Sequence, residues 1–371
     1  MSITPLYEFG DHDQQLIVRL HLEMPRGGTV TGPIEGTYGE IYFVLLPENT
    51  FPRRIAAKCP RIKRFGSFEK AQAGIEQVLH ELQKTHQAFM VPWINRFFDV
   101  QIIHGWPFLL SRYRDGSLEN LIANPLAWST QDRFASLIQI VRALRLVQGR
   151  GIVAHQDLKP GNVFFDDLSR KNVPKDSKGM HFRIFVADFG LADAFREFGR
   201  NTGSRPYMAP EQFSSLPIDP TAPALFDLFA LGVIAFECFG NGHHPIGVVT
   251  ADVWPWHRGI GQKWNRESTW RDWAHTERKT LPATSELPKG MEDLIADALS
   301  VDPKKRPSLE EFESRLWEAL RQYDPETHQG LKMQVEWIEG LSSDDTEWPH
   351  MDDRLMELRT FYSLRPIRSG D

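Results

Sequence analysis

Cysteine is nearly absent: Cys59 and Cys238 are the only two in 371 residues. Two thiols cannot build a disulfide framework or a four-cysteine zinc site, and they fit a reducing, cytoplasmic setting. No hydrophobic run reaches membrane-spanning length. The most apolar stretch, Leu225 to Gly240, is interrupted by Asp227 and Glu237 and reads as a buried helix. The opening residues Met1-Ser2-Ile3-Thr4-Pro5 show no basic segment leading into an apolar core, so no secretory leader is expected. An excess of positive charge is missing too. With 43 Lys plus Arg against 49 Asp plus Glu, the formal net charge of −6 argues against a general nucleic-acid binder. Internal repeats and low-complexity tracts are also lacking.

What is present is the composition of an ordinary globular protein, 41% hydrophobic and 25% charged, with ample material for a core. Leu16 to Leu22 alternates partially and reads as a strand. Glycines cluster between Gly27 and Gly39, ahead of β-rich runs at Ile41 to Leu46 and Ile55 to Lys58. From Phe68 to Leu82 the spacing of Ile75, Val78, Leu79 and Leu82 predicts a helix. Two more strands are predicted at Arg96 to Ile103 and Phe108 to Tyr113, around the turn His104-Gly105-Trp106-Pro107. After Asp115-Gly116-Ser117 the pattern becomes mostly helical, beginning with Leu118 to Ala123 and Ser129 to Val147. Short strand-like pieces recur at Val163 to Phe165 and Phe182 to Ala187.

The order predicts an α+β chain with a strand-rich unit holding one main helix (28–113) and a mostly helical unit (114–321). An N-terminal extension with a strand (1–27) and a C-terminal extension (322–371) flank them. Six basic residues between Arg53 and Arg64 read as a solvated strand edge and loop, with a docking patch as the alternative. His243-His244 reads as a surface loop, since no third metal ligand is evident.

The chemistry-bearing segment is His155-Gln156-Asp157-Leu158-Lys159-Pro160-Gly161-Asn162. Asp188-Phe189-Gly190 and Met208-Ala209-Pro210-Glu211 follow it, and Gly36-Thr37-Tyr38-Gly39 and Ile55-Ala56-Ala57-Lys58 precede it. An isolated loop aspartate usually caps a helix or pairs with a cation. In this order and spacing, the set resembles the eukaryotic-type protein kinase family, serine/threonine group. The resemblance covers roughly residues 28 to 320 and implies the family's two-lobed fold.

The resemblance also implies a reaction: ATP- and Mg²⁺-dependent transfer of a phosphoryl group to protein Ser/Thr hydroxyls, with Mn²⁺ as an alternative cation and autophosphorylation expected. Asp157 would orient the acceptor hydroxyl and take its proton, and Lys159 would neutralise the transferring phosphate. Asn162 and Asp188 would hold the cation. Gly36, Gly39 and Lys58 would meet the phosphates, with Glu76 as the partner of Lys58 and Glu81 as second choice. Ile41, Ala56 and Phe164 would enclose the adenine, whose edge would bond to backbone near Arg112 to Arg114. His155 would be structural beside Phe189 and Gly190, Asp227 would anchor the catalytic loop, and Arg306 would pair with Glu211. Ser204 stands where the serine/threonine group has threonine.

Two departures carry expectations. Ile34 replaces the first phosphate-loop glycine, which predicts a stiffer loop. Gln156 replaces an arginine that in many members pairs with a phosphorylated activation segment. Thr202 and Ser204 remain as candidate phosphosites, but activity is expected not to depend strictly on their modification. The competing readings are a pseudokinase scaffold and a kinase of a small-molecule hydroxyl. Eight of the 11 tryptophans lie beyond residue 250. Those at 254, 256, 264, 270 and 273 are expected mainly to cover core, with a partner surface as the alternative. Trp337 and Trp348 predict that residues 331–340 and 348–362 dock as helices.

Overall fold

The structure is a computed structural model that describes residues 6, 9–23, 27–35, 39–61, 68–171, 174, 177–214, 218, 225–254, 266–277, 281–282 and 287–341. Its described residues fall into two compact units. The first runs up to Phe89 and includes Asn95–Arg114; the second holds Met90–Ile94 and continues from Asp115.

The first unit contains α1 (Asp11–Glu23), β1 (Thr29–Glu35), β2 (Gly39–Leu45), β3 (Arg54–Pro60), α2 (Phe68–Gln87), β4 (Phe97–Ile103) and β5 (Trp106–Arg112). The strands form one antiparallel sheet in the order β1-β2-β3-β5-β4. Register fixes its two faces. Ile41 lies opposite Lys58 and Phe43 opposite Ala56, while Lys58 and Ala56 face Leu109 and Ser111 on β5. Side chains alternate along a strand, so these residues share one face. Helix α2 covers part of that face, where Val78 and Leu82 pack with Phe97, Val100 and Leu109.

The opposite face buries Tyr42, Val44, Ile55, Ala57, Cys59, Trp106, Phe108 and Leu110. Leu6, Val18 and Leu22 complete that core. Each fully buried Val or Leu contributes about 1.5–3 kcal/mol, which makes α1 an integral part of the unit. The run Leu16 to Leu22, expected as a strand, is therefore helical. Its element buries Gln14, Val18 and Leu22, four residues apart, and exposes Leu16 and Leu20. Leu16, Val18, Leu20 and Leu22 alternate as in a strand while Val18 and Leu22 also lie one helical turn apart, and the preceding Asp11 and Asp13 favour a helix N-terminus. The β4–β5 turn is also tighter than expected. His104 (φ 47°) and Gly105 (φ 76°) make a two-residue turn, and Trp106 and Pro107 already belong to β5.

The second unit opens with β6 (Gly116–Ser117), α3 (Leu118–Ala123) and α4 (Thr130–Gln148). It continues through β7 (Val163–Asp167), β8 (Phe182–Val186), α5 (Ala194–Phe198), α6 (Leu225–Phe239), α7 (Thr250–Val253) and α8 (Arg266–Ala274). Helices α9 (Met291–Ala298), α10 (Leu309–Tyr323) and α11 (Pro325–Leu341) follow. Strands β6, β7 and β8 make a small antiparallel sheet. Ser129 starts α4 through a reciprocal cap: its Oγ accepts from the Asp132 N–H at 3.1 Å, while Asp132 accepts the Ser129 N–H at 2.8 Å. Helix α6 is buried from Phe226 to Phe239, which explains why it is apolar all round. Among the described residues no helix is long and apolar enough to cross a membrane.

One polar residue expected at the surface lies inside this unit. His244 is fully buried and stacks edge-on against Trp270 and Trp273. Its Nδ1 accepts from the Ile246 N–H at 3.0 Å, so its Nε2 carries the proton and donates to the Pro206 carbonyl at 2.8 Å. Burial pushes its pKa down to about 3. His244 is thus a neutral core residue, and its neighbour His243 bonds the Gly240 carbonyl. Trp270 is buried and Trp273 packs on Phe229. Gly36, Trp256, Trp264 and the segment 348–362 lie outside the described residues.

Candidate active site

The second unit brings the catalytic-loop residues together. Asp157 is buried, and three neighbours orient its carboxylate. Oδ1 accepts the Ser204 N–H at 2.7 Å, and Oδ2 accepts from Lys159 Nζ at 3.0 Å and Asn162 Nδ2 at 3.3 Å. Asn162 Nδ2 also donates to the Asp157 carbonyl at 2.9 Å. Lys159 Nζ reaches Ser204 Oγ at 2.7 Å, so one ammonium ties the aspartate to the segment 201–207. Ser204 is itself buried and committed to this cluster, which sets it apart from an exposed phosphate acceptor. The local chain explains the spacing: Pro160 opens a 3₁₀ turn over Pro160–Asn162 that folds Asn162 back beneath Asp157.

A second layer fixes this loop from below. Asp227 accepts the backbone N–H groups of His155 at 2.7 Å and Gln156 at 3.0 Å. Burial raises its pKa to about 6, against the lowering effect of His155 and those two N–H groups. His155 Nε2 bonds the Ala187 carbonyl at 2.9 Å, and its ring lies 5.0 Å from that of Phe189. Asp188 stands between them in the left-handed region, at φ 64°. Glu211 and Arg306 form a bidentate pair at 2.6 and 2.8 Å, and Arg306 also donates to the carbonyls of Ser300 and Leu225. Phe164 is half-buried on β7, between the buried Val163 and Phe165.

In the first unit Lys58 Nζ donates to Glu81 Oε1 at 2.8 Å, both side chains being largely buried. Glu76, expected in that role, is exposed and accepts from Gln72 on its own helix at 3.1 Å. The reason is helical rotation. Glu81 lies three residues after the buried Val78 and beside Leu82, on the stripe that faces the sheet, whereas Glu76 lies off it. That stripe was visible in the sequence and favours Glu81. Ile41 and Ala56 share the face of Lys58. Gly39 has a packing reason to be glycine: a Cβ there would lie 2.5 Å from the Cys59 carbonyl oxygen.

Two site residues escaped sequence reasoning. Asp193 Oδ1 accepts the N–H groups of Val153 and Ala154 at 2.8 and 2.9 Å, tying the segment after Asp188 to the approach to the catalytic loop. Gln212 Nε2 donates to the Gln156 carbonyl at 3.2 Å. Neither belongs to a motif with its own spacing, and both act through long-range backbone contacts.

A family model described as protein kinase domain matches residues 35–317. The chain is similar to the serine/threonine-protein kinase Pkn1 of Myxococcus xanthus, 37% identical over 151 residues, covering 39% of this chain and 20% of that protein. It is similar to the serine/threonine-protein kinase ksg1 of Schizosaccharomyces pombe, 27% identical over 308 residues, covering 76% of this chain and 46% of that protein. A third relative is the serine/threonine-protein kinase unc-51 of Caenorhabditis elegans, 37% identical over 108 residues, 28% of this chain and 11% of that protein. The chain thus spans less than half the length of each of these relatives.

Proposed function

The chain belongs to the protein kinase family, and from that premise we propose that it transfers the γ-phosphate of ATP to serine or threonine hydroxyls of protein substrates. The observation that carries this reading is the cluster in which Lys159, Asn162 and Ser204 each hydrogen-bond Asp157 and Lys159 also bonds Ser204. Phosphoryl transfer asks the protein for positioning and charge stabilisation more than for covalent chemistry. Asp157, its carboxylate plane fixed by three donors, aligns the acceptor hydroxyl and accepts its proton. Lys159 supplies a cation beside that reaction centre. Lys58, steadied by Glu81, holds the α- and β-phosphates.

Asn162 and Asp188 fit a hard divalent cation. Asn162 spends its Nδ2 on Asp157, so its amide oxygen is the atom offered to the metal. An amide oxygen and a carboxylate are donors that Mg²⁺ takes together with water and phosphate. Among the described residues no cluster of three His, Cys, Asp or Glu could hold a metal without such help. When bound, the cation neutralises phosphate charge. The buried free thiols of Cys59 and Cys238 support a reducing, cytoplasmic setting. Incubation with labelled ATP and a protein acceptor tests the function, with label expected as phosphoserine or phosphothreonine. Label appearing only on a small-molecule hydroxyl would overturn the substrate class.

A further inference from the structure

Gln156 precedes the catalytic aspartate and sits in the left-handed region, at φ 68°. It is 3% exposed, and its side chain is aimed at the chain that leads from Asp193 to Ser204. Oε1 accepts the Phe195 N–H at 2.9 Å, in the first turn of α5. Nε2 donates to the carbonyls of Arg200 and Thr202, the latter at 3.1 Å. A backbone N–H only donates and a carbonyl only accepts, so these partners settle which way the amide faces. The Gln156 carbonyl is held by Gly203 of that segment and by Gln212 just beyond it. It accepts from Gln212, and a Cβ on Gly203 would lie 2.8 Å from it.

We propose that Gln156 is a positioning residue: an uncharged latch whose single amide holds residues 195–202 at three points and so seats Ser204 on Asp157 and Lys159. Its effect on rate rests on the kinase reading; its effect on the segment does not. The side-chain chemistry is selective. Arginine has five donors and no acceptor for the Phe195 N–H, and glutamate has acceptors only and would face two carbonyl oxygens. An amide serves both kinds of partner. All three contacts are charge-neutral, so the latch closes without a phosphate on Thr202 or its neighbours.

The test uses the full chain, dephosphorylated with a phosphatase, as wild type, Gln156→Met and Gln156→Glu. Hydrogen exchange over residues 194–203 is measured alongside kcat and the KM values for ATP and for a protein acceptor. Dephosphorylated wild type should keep the Phe195 amide protected and retain its rate. Gln156→Met, similar in length but without the polar atoms, should lose that protection, while Gln156→Glu should keep it through its acceptor oxygens. Both should lose about 10- to 100-fold in kcat, with the KM for ATP changed less than about twofold, as expected for misplacement of the acceptor side. Unchanged Phe195 protection in Gln156→Met would overturn the latch. So would a hundredfold loss of wild-type rate on dephosphorylation. If wild type transfers no phosphate, the kinase reading fails, and the exchange comparison still decides the latch. A global loss of stability would raise exchange throughout the chain in both variants and would count against a local role.

Discussion

At the scale of single residues, Glu237 shows how surroundings decide a charge. It is buried in α6, where the Tyr207 hydroxyl at 3.1 Å and the Thr250 hydroxyl are its partners and, among the described residues, no cation pairs with it. Burial raises its pKa from 4.5 to about 8, and the two hydroxyls only partly oppose that rise. Because the folded value lies above the unfolded one, the associated stability is complete below about pH 4.5 and is lost as pH rises through about 8. Glu237→Gln should remove this dependence. The Tm of wild type should fall between about pH 5 and about pH 9 more steeply than that of the variant; parallel curves would refute the account. The Lys58 partner is a second residue-scale case. Glu81→Gln should lower the phosphoryl-transfer rate about 10- to 100-fold by releasing Lys58, while Glu76→Gln, on the exposed side of α2, should change it less than about twofold.

At the scale of elements, α11 shows how a segment beyond the family match becomes structural. Glu339 accepts from Trp93 Nε1 at 2.8 Å and is bound by the Arg142 guanidinium, whose pKa it raises. Gln334 accepts the Met180 N–H at 2.6 Å, and a Cβ on Gly330 would collide with the Lys178 carbonyl oxygen. The helix therefore holds the connection between β7 and β8, the strands that follow Asn162 and precede Asp188. Glu339→Ala should cost about 1.5–3 kcal/mol in urea denaturation, the range for hydrogen bonds to charged groups. Glu336→Ala, on the exposed side of the same helix, should stay within about 0.5 kcal/mol. Equal effects would contradict this role of α11.

Legibility in the sequence divides along the same lines. The arrangement of the catalytic loop could be read because its residues lie within eight consecutive positions, where spacing constrains geometry. The Lys58 partner is set by the rotation of α2 against the sheet, so counting along the chain chose Glu76 and the apolar stripe would have chosen Glu81. Leu16 to Leu22 misled because its alternating leucines and valine satisfy the strand period while Val18 and Leu22 also satisfy the helical one. His244 misled because the rings that pack directly on it, Trp270 and Trp273, come from α8, about thirty residues away in sequence.

At the scale of the whole molecule, the family match ends inside α10 and begins at the end of β1. Each unit nevertheless extends its own core past those limits, through α1 in the first and α11 in the second. Within the second unit, the proposed phosphoryl transfer is centred on Asp157 with Lys159, Asn162 and Ser204 bonded around it. The most direct test of that account is incorporation of labelled phosphate from ATP into a protein acceptor by wild type and Asp157→Ala, with the Tm of each recorded. Wild type should label serine or threonine. The variant should be slower by at least about 100-fold at a Tm within a few degrees, since a positioned acid–base group contributes about 10²–10⁴. Equal incorporation by the two proteins, or none by folded wild type, would contradict it.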